Sequence, residues 1–309
     1  MRSARGLYRV HAVLAVAGAA ATAFALVVAL TRVSFQPPSV GAIARACQRV
    51  GLDDVSVVSL LILSLSSLSV AVLVLALRSA LRQLGVRRRF MREVRIVGRT
   101  DVEGCHALIV EGERPQAFCS GLWRPRVYVS RGTFDRLPPD QVAAVVAHEA
   151  HHVRRRDPLR LFVARALGEG LFFLPALGRL ADRYAALAEL AADEAAVSRG
   201  GHRPLAAALL AFEETPNAGV VGIAPERVDH LLGERPSWRL PTVLLLGAGL
   251  TLIGLVALVL QTAQATSHAS VALPALLAQA CMVAMTVIPV LVGAAALLAS
   301  RRTLRRRTR

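Results

Sequence analysis

His148, Glu149 and His152 form a His-Glu-x-x-His motif. On a helix, residues four apart share a face, so both imidazoles can reach one ion with Glu149 beside them. Two neutral imidazoles suit a zinc ion, and an adjacent glutamate can accept a proton from a metal-bound water. A catalytic zinc also needs a third protein ligand and an open coordination position. Candidates lie downstream in the alanine-rich run Leu187-Ala188-Glu189-Leu190-Ala191-Ala192-Asp193-Glu194. Glu189 and Asp193 are one helical turn apart. A carboxylate on an apolar helix face is costly unless paired or metal-bound. That favours Glu189 as the ligand and Asp193 as an acceptor that orients a histidine ring. The bland alternative is a solvated helix face that also includes Glu194.

These residues must be carried by regular elements. Pro138-Pro139-Asp140 predicts a helix start, and the helix runs to about Arg156. Asp157-Pro158 stops it and starts another, with proline at an early helical position. Asp157 fits a cap there better than a ligand, though it can support a ligand. A further helix is expected over about Arg179–Ser198, ending at Gly200-Gly201. Upstream, Val94–Val97, His106–Val110 and Val127–Ser130 read as short strands separated by Gly104, Gly112, Pro115 and Gly121. The strand Arg126, Val127, Tyr128, Val129, Ser130 precedes the motif helix, and Ala117–Ser120 is expected beside it. One of the two would be an open edge that receives an extended peptide by strand addition. His151 points away from the metal face. Tyr184, His202 and Arg203 are weak oxyanion candidates, since nothing in the sequence aims them.

The rest of the chain is apolar. Four blocks reach the length of a spanning helix, about 20 apolar residues: residues 12–30, 55–77, 242–260 and 271–299. None contains an acidic or basic residue. The first reads as a retained span and not a cleaved leader, because its run is long and further spans follow. Pro274 and Pro289 allow the last to tilt or kink. Arginines crowd the N-terminus, residues 78–89, the approach to 242 and the segment after 299. The loops 31–54 and 261–270 lack such an excess. The positive-inside rule then puts both termini and the segment 78–241 in the cytoplasm of a multi-pass plasma-membrane protein. Basic tails 1–11 and 300–309 flank the bundle. Within the cytoplasmic segment, 159–177 is apolar but carries Arg160, Arg165 and Glu169, and is expected to be a helix lying on, or dipping into, the inner membrane face, the alternative being an ordinary buried helix of the soluble domain.

Composition narrows the function classes. The 309 residues are 54% hydrophobic, with a mean hydropathy of +0.50, which excludes intrinsic disorder. Cys47, Cys105, Cys119 and Cys281 are scattered without disulfide-framework or metal spacing. The formal charge is +16, all of it arginine against acid. With no nucleic-acid motif beside it, and with arginine placed at membrane borders, that charge points to lipid headgroups and not to direct nucleic-acid binding.

The ordered stretch Ala117–Ala196 resembles the integral-membrane zinc peptidases related to the beta-lactam sensor-transducers, the antirepressor metallopeptidase family. The resemblance runs through Phe118–Gly121, Leu122-Trp123-Arg124-Pro125-Arg126-Val127-Tyr128-Val129-Ser130, the Val145–Arg156 helix with Asp157, and Glu189-x-x-x-Asp193. It implies one zinc per chain, with His148, His152 and Glu189 as ligands, Glu149 as base and Asp193 in support. Ten residues follow the last expected span, with no Ser-x-x-Lys signature, so no penicillin-binding sensor domain and no covalent antibiotic sensing are expected. The outer loop 31–54 could sense only something small, a lipid-linked ligand or a partner protein.

The expected architecture is therefore an α-helical membrane protein of four spans with an α+β zincin-type cytoplasmic peptidase domain. Zinc would activate water and polarise the scissile carbonyl, while Glu149 moves the proton to the leaving amine. By resemblance, the substrate is a cytoplasmic regulator such as a winged-helix repressor. Two rivals exist. A quality-control protease of the heat-shock or prenyl-peptide type would share the chemistry but is expected to carry extra spans between motif and glutamate. Here only the 36 residues Val153–Ala188 intervene. A non-catalytic transducer would have a degenerate site, against which the intact Glu149 argues.

Overall fold

The structure is a computed structural model that describes residues 2–34, 40–41, 57–213, 227, 242–265, 271–272 and 280. The chain divides into two compact units. One joins Met1–Ala19 to Val72–Thr251; the other joins Ala20–Ala71 to Leu252–Arg309.

Three helices are long and apolar enough to cross a membrane: windows Ala4–Thr31, Ser59–Glu93 and Thr242–Ala265. They lie in α1 (Arg2–Arg32), α2 (Val57–Glu93) and α8 (Thr242–Ala265). Their outer faces leave Val13, Val16, Leu73, Val243 and Leu250 more than half exposed. So much open apolar surface requires a surrounding other than water. Within the second unit, Ala25, Val28, Leu65 and Val259 pack together, and Ser69 Oγ donates to the Thr22 carbonyl at 2.9 Å. The hydroxyl is thereby satisfied inside the helical packing, as a polar group in an apolar medium must be.

Several boundaries differ from expectation. The second helix continues sixteen residues past Leu77 to Glu93, because residues 78–93 are rich in arginine and leucine, both good helix formers. The helix Thr242–Ala265 likewise overruns Leu260 into the expected loop. The expected fourth span, 271–299, does not start as a helix. Val271–Ala272 (β6) pairs in parallel with Val33–Ser34 (β1). Apart from residue 280, the remainder of that span lies outside the described residues, as does most of the loop 31–54.

The first unit carries a four-stranded mixed sheet, β2 (Ile96–Val102), β3 (Cys105–Val110), β4 (Ala117–Ser120) and β5 (Arg126–Ser130), in the order β2-β3-β5-β4. Only the β3–β5 pair is parallel. Side chains alternate across a strand. Ala107, Val127 and Val129 face the helix α4 (Pro139–Arg155) through Val142, Val145, Val146 and Ala150. Leu108, Val110 and Tyr128 face the other way, where Met91, Val94 and Phe118 cover them. Phe118 stacks on Tyr128 with centroids 5.1 Å apart. After α3 (Arg131–Arg136), α4, α5 (Asp157–Gly170), α6 (Pro175–Gly200) and α7 (His202–Glu213) complete the unit. Alanines 144, 147 and 196 let α4 and α6 approach closely, with Leu205 of α7 between them.

The segment 159–177 is not one helix. It breaks at Leu171–Leu174, between α5 and α6. Leu171, Leu174 and Leu177 are fully buried, and a Cβ on Gly18 would lie 2.9 Å from Leu174. Burial inside this unit accounts for the apolar run, the alternative to a membrane-apposed helix that the sequence leaves open.

Candidate metal centre

Helix α4 begins where proline suits it. Pro138 and Pro139 open it, with Asp140 in the first turn. It ends at Arg156, whose backbone is left-handed at φ 54°, ψ 38°. Helix α5 starts at the next residue, Asp157. The expected cap role for Asp157 does not hold: it is the first residue of α5, and its carboxylate is turned back on the preceding helix.

The structure brings His148, His152 and Glu189 together, their ligand atoms all within 4.8 Å of one another. The two Nε2 atoms are 3.2 Å apart. Each is 3.5 Å from one oxygen of Glu189. A tetrahedral zinc with bonds of about 2.0–2.1 Å separates its ligand atoms by roughly 3.3 Å, so the donor set already has the required spacing.

The outer ring nitrogens reinforce this. His152 Nδ1 is 3.0 Å from Asp157 Oδ2, and Asp157 Oδ1 accepts a hydrogen bond from Tyr184 Oη at 2.7 Å. His148 Nδ1 is 2.9 Å from Asp193 Oδ1, an ion-pair distance although out of line for a hydrogen bond. With both Nδ1 atoms facing carboxylates, protons belong there. Both Nε2 lone pairs then face each other, an arrangement that calls for a cation between them.

Charge agrees. Burial disfavours a charged His148, but Asp193, Glu189 and Glu149 outweigh it and push its pKa up to about 9. Burial raises the Glu189 carboxyl, yet His148, His152 and Arg227 prevail and bring it down to about 2. Glu149 is shifted upward, chiefly by burial, toward the range useful to a general base.

Arg227 was invisible to sequence reasoning. Its guanidinium grips Asp193 with Nε at 2.8 Å and a terminal nitrogen at 2.7 Å, and lies 3.5 Å from Glu189. Asp193 is fully buried. Nothing marks this residue among 37 arginines; only the fold brings it 34 positions back along the chain.

Other expected residues fall elsewhere. Tyr184 is 1% exposed with its hydroxyl committed to Asp157, which removes it as an oxyanion donor. His202 and Arg203 are exposed at the start of α7 and do not line the cleft. The strand Arg126, Val127, Tyr128, Val129, Ser130 is paired on both sides, to β3 and to β4, so it has no free edge for a peptide. Of the two strands, Ala117–Ser120 is the one at an edge of the sheet.

That edge borders a cleft of about 640 Å³, in which Ala117–Ser120 lie opposite His148, Glu149, His152 and Glu189. Phe90, Phe118, Leu122, Leu161 and Phe162 give it apolar walls. Arg87 ties the end of α2 to the edge strand through Ser120 Oγ at 3.0 Å.

Residues 80–212 match the sequence profile of Peptidase family M48. Over 82 residues the chain is 33% identical to Protease HtpX homolog 2 of Methanosarcina mazei, covering 26% of this chain and 28% of that protein. The chain thus spans little more than a quarter of the curated relative it matches. No solved structure matches. The segment similar to the M48 metallopeptidases contains the whole His148, Glu149, His152, Glu189, Asp193 constellation; the finer likeness to the beta-lactam sensor-transducers is not shown by these comparisons.

Proposed function

Taking residues 80–212 as a domain similar to Peptidase family M48, we propose that the protein is a membrane-embedded zinc endopeptidase. The observation that carries this reading is the triad His148, His152 and Glu189 at tetrahedral spacing, with Glu149 in the same cleft. These three residues would hold one zinc. Bound there, zinc supplies Lewis-acid polarisation and acidifies water. Glu149 accepts the proton from the attacking water and returns it to the leaving amine. Asp157 and Asp193 hold the imidazoles with Nε2 toward the ion, and Arg227 keeps the buried Asp193 ionised. The edge Ala117–Ser120 seats an extended substrate by main-chain pairing. The arginine distribution supports a cytoplasmic active site and cytoplasmic termini.

The substrate is a flexible peptide segment near the inner membrane face. A quality-control role on damaged or unfolded membrane proteins is supported by the likeness to Protease HtpX homolog 2. The short interval Val153–Ala188 lies inside the segment that matches the M48 profile. Cleavage of a regulator such as a winged-helix repressor is the second reading, resting on the sequence resemblance around Ala117–Ala196.

The test uses the full chain in vesicles. Glu149→Gln should keep about one zinc per chain and lose cleavage by ~100-fold or more, the scale of a general-base contribution. Glu189→Ala should lose both metal and activity. Near-normal cleavage by Glu149→Gln would refute the mechanism. An unfolded membrane substrate and a repressor, offered in parallel, separate the two substrate readings.

A further inference from the structure

The motif helix α4 has a second polar face, turned away from the cleft. His151, Arg154 and Arg155 stand there at i, i+3 and i+4 and share one side. They line a separate cavity of about 580 Å³ together with Arg5 of α1, Arg160 of α5 and Glu194 of α6. Four guanidiniums converge on a space with one carboxylate. Among the described residues, none of the four has an acidic side chain within ion-pairing distance. The Arg160 guanidinium lies 5.3 Å above the Tyr8 ring, which fixes its position at the wall. His151 is 3% exposed, and its Nε2 has no hydrogen-bond partner. The lining of this cavity therefore carries excess positive charge.

Like charges gathered in one concavity repel, and an anion relieves them. Planar guanidiniums match the oxygens of a phosphate through paired N–H donors. Arg5 sits at the start of a helix whose apolar window opens at Ala4, so a phosphate at this depth has an obvious carrier in a phospholipid headgroup. We infer that this cavity binds a phosphate group, as carried by an anionic phospholipid or free in solution. The inference does not depend on the metal or on peptidase activity. It does give α4 and α6, which carry the ligands, a shared anchor on their opposite faces.

The experiment is native mass spectrometry of the full-length zinc-loaded protein, purified in a detergent without phosphate. Phosphatidylglycerol, phosphatidylcholine and inorganic phosphate are offered separately. One phosphatidylglycerol should be retained per chain, at least ~10-fold more tightly than phosphatidylcholine. The Arg154→Gln/Arg155→Gln double variant should lose that preference while keeping its zinc and melting temperature. Arg5→Gln, at an exposed position on a different helix, should weaken retention independently, which guards against a misfolded double variant. Retention of inorganic phosphate by wild type but not by the variants, without a lipid preference, would assign the free anion as the source. Equal retention of all three ligands by wild type and variants would overturn the inference.

Discussion

His152 and Asp157 are five residues apart, yet His152 Nδ1 lies 3.0 Å from Asp157 Oδ2. In an unbroken helix that spacing turns the two side chains well away from each other. The contact exists because α4 ends at Arg156 in a left-handed conformation and α5 begins at once, folding Asp157 back under the ring. The turn is therefore part of the metal site. Asp157→Asn should lower zinc affinity by about 10–100-fold, the usual effect of removing a carboxylate that orients a histidine ligand, and leave the fold intact. Competition with a chelator of known affinity measures it. Arg156→Gly should be tolerated, since glycine adopts positive φ freely, whereas Arg156→Val should weaken metal binding through the turn.

The Arg227–Asp193 pair gives a stability prediction. Arg227→Leu removes one of the two partners of the buried Asp193 carboxylate, His148 being the other, and breaking such a buried pair typically costs about 3–5 kcal/mol. Urea or thermal unfolding of the protein in detergent should show the loss. Adding Asp193→Asn to that variant should recover part of it, because the stranded charge is then gone. An additive loss in the double variant would mean that the two residues are not coupled.

Gly132 supports the site from the sheet side. A Cβ there would collide with the Glu113 carbonyl oxygen, and the Gly132 N–H bonds Gly112 O at 2.8 Å. Gly132→Ala must therefore push apart the loop that leads into Ala117–Ser120. It should destabilise by about 1–3 kcal/mol, the range for overpacking, and raise KM for an extended peptide more than it lowers kcat. Denaturant titration and steady-state kinetics check the two effects.

Topology is tested with reporter fusions. Fusions at Gly98 and Gly201 should report the same side, and one near Ser267 the opposite side. Opposite readings at Gly98 and Gly201 would divide the residues of the cleft across the membrane and exclude the proposed ligand set.

Legibility in the sequence followed distance along the chain. His148, Glu149 and His152 were readable because their relationship is fixed by one helical turn. Glu189 and Asp193 were readable as a pair for the same reason, and because acid stands out against alanine. The supporting role open to Asp157 matches its contact with His152, whereas the cap role does not hold, since the left-handed Arg156 leaves no mark in residue type and arginine is not a residue that favours such a conformation. Which of Ala117–Ser120 and Arg126–Ser130 is the edge was not legible, because the parallel β3–β5 pairing that makes Arg126–Ser130 an inner strand is non-local. Arg227 could not be found at all. The break at Leu171–Leu174 was hidden because buried and membrane-facing leucines look alike in composition.

The sheet has two outer strands among the described residues, and they are guarded differently. The β2 edge is seven residues long, with a register irregularity between Ile96 and Gly98 and exposed charges at Arg99 and Asp101. The β4 edge is four residues long and closes at Gly121, where φ is 124° and a Cβ would collide with the Arg124 carbonyl. Irregularity, charge and shortness are the devices that stop strands of separate molecules from zipping together. A protein that seats peptides on a bare strand edge risks capturing copies of itself, and the brevity of β4 limits that self-association to a handful of main-chain bonds. Crowding in a lipid plane, where neighbours meet often, is the setting in which that limit keeps the molecules from aggregating.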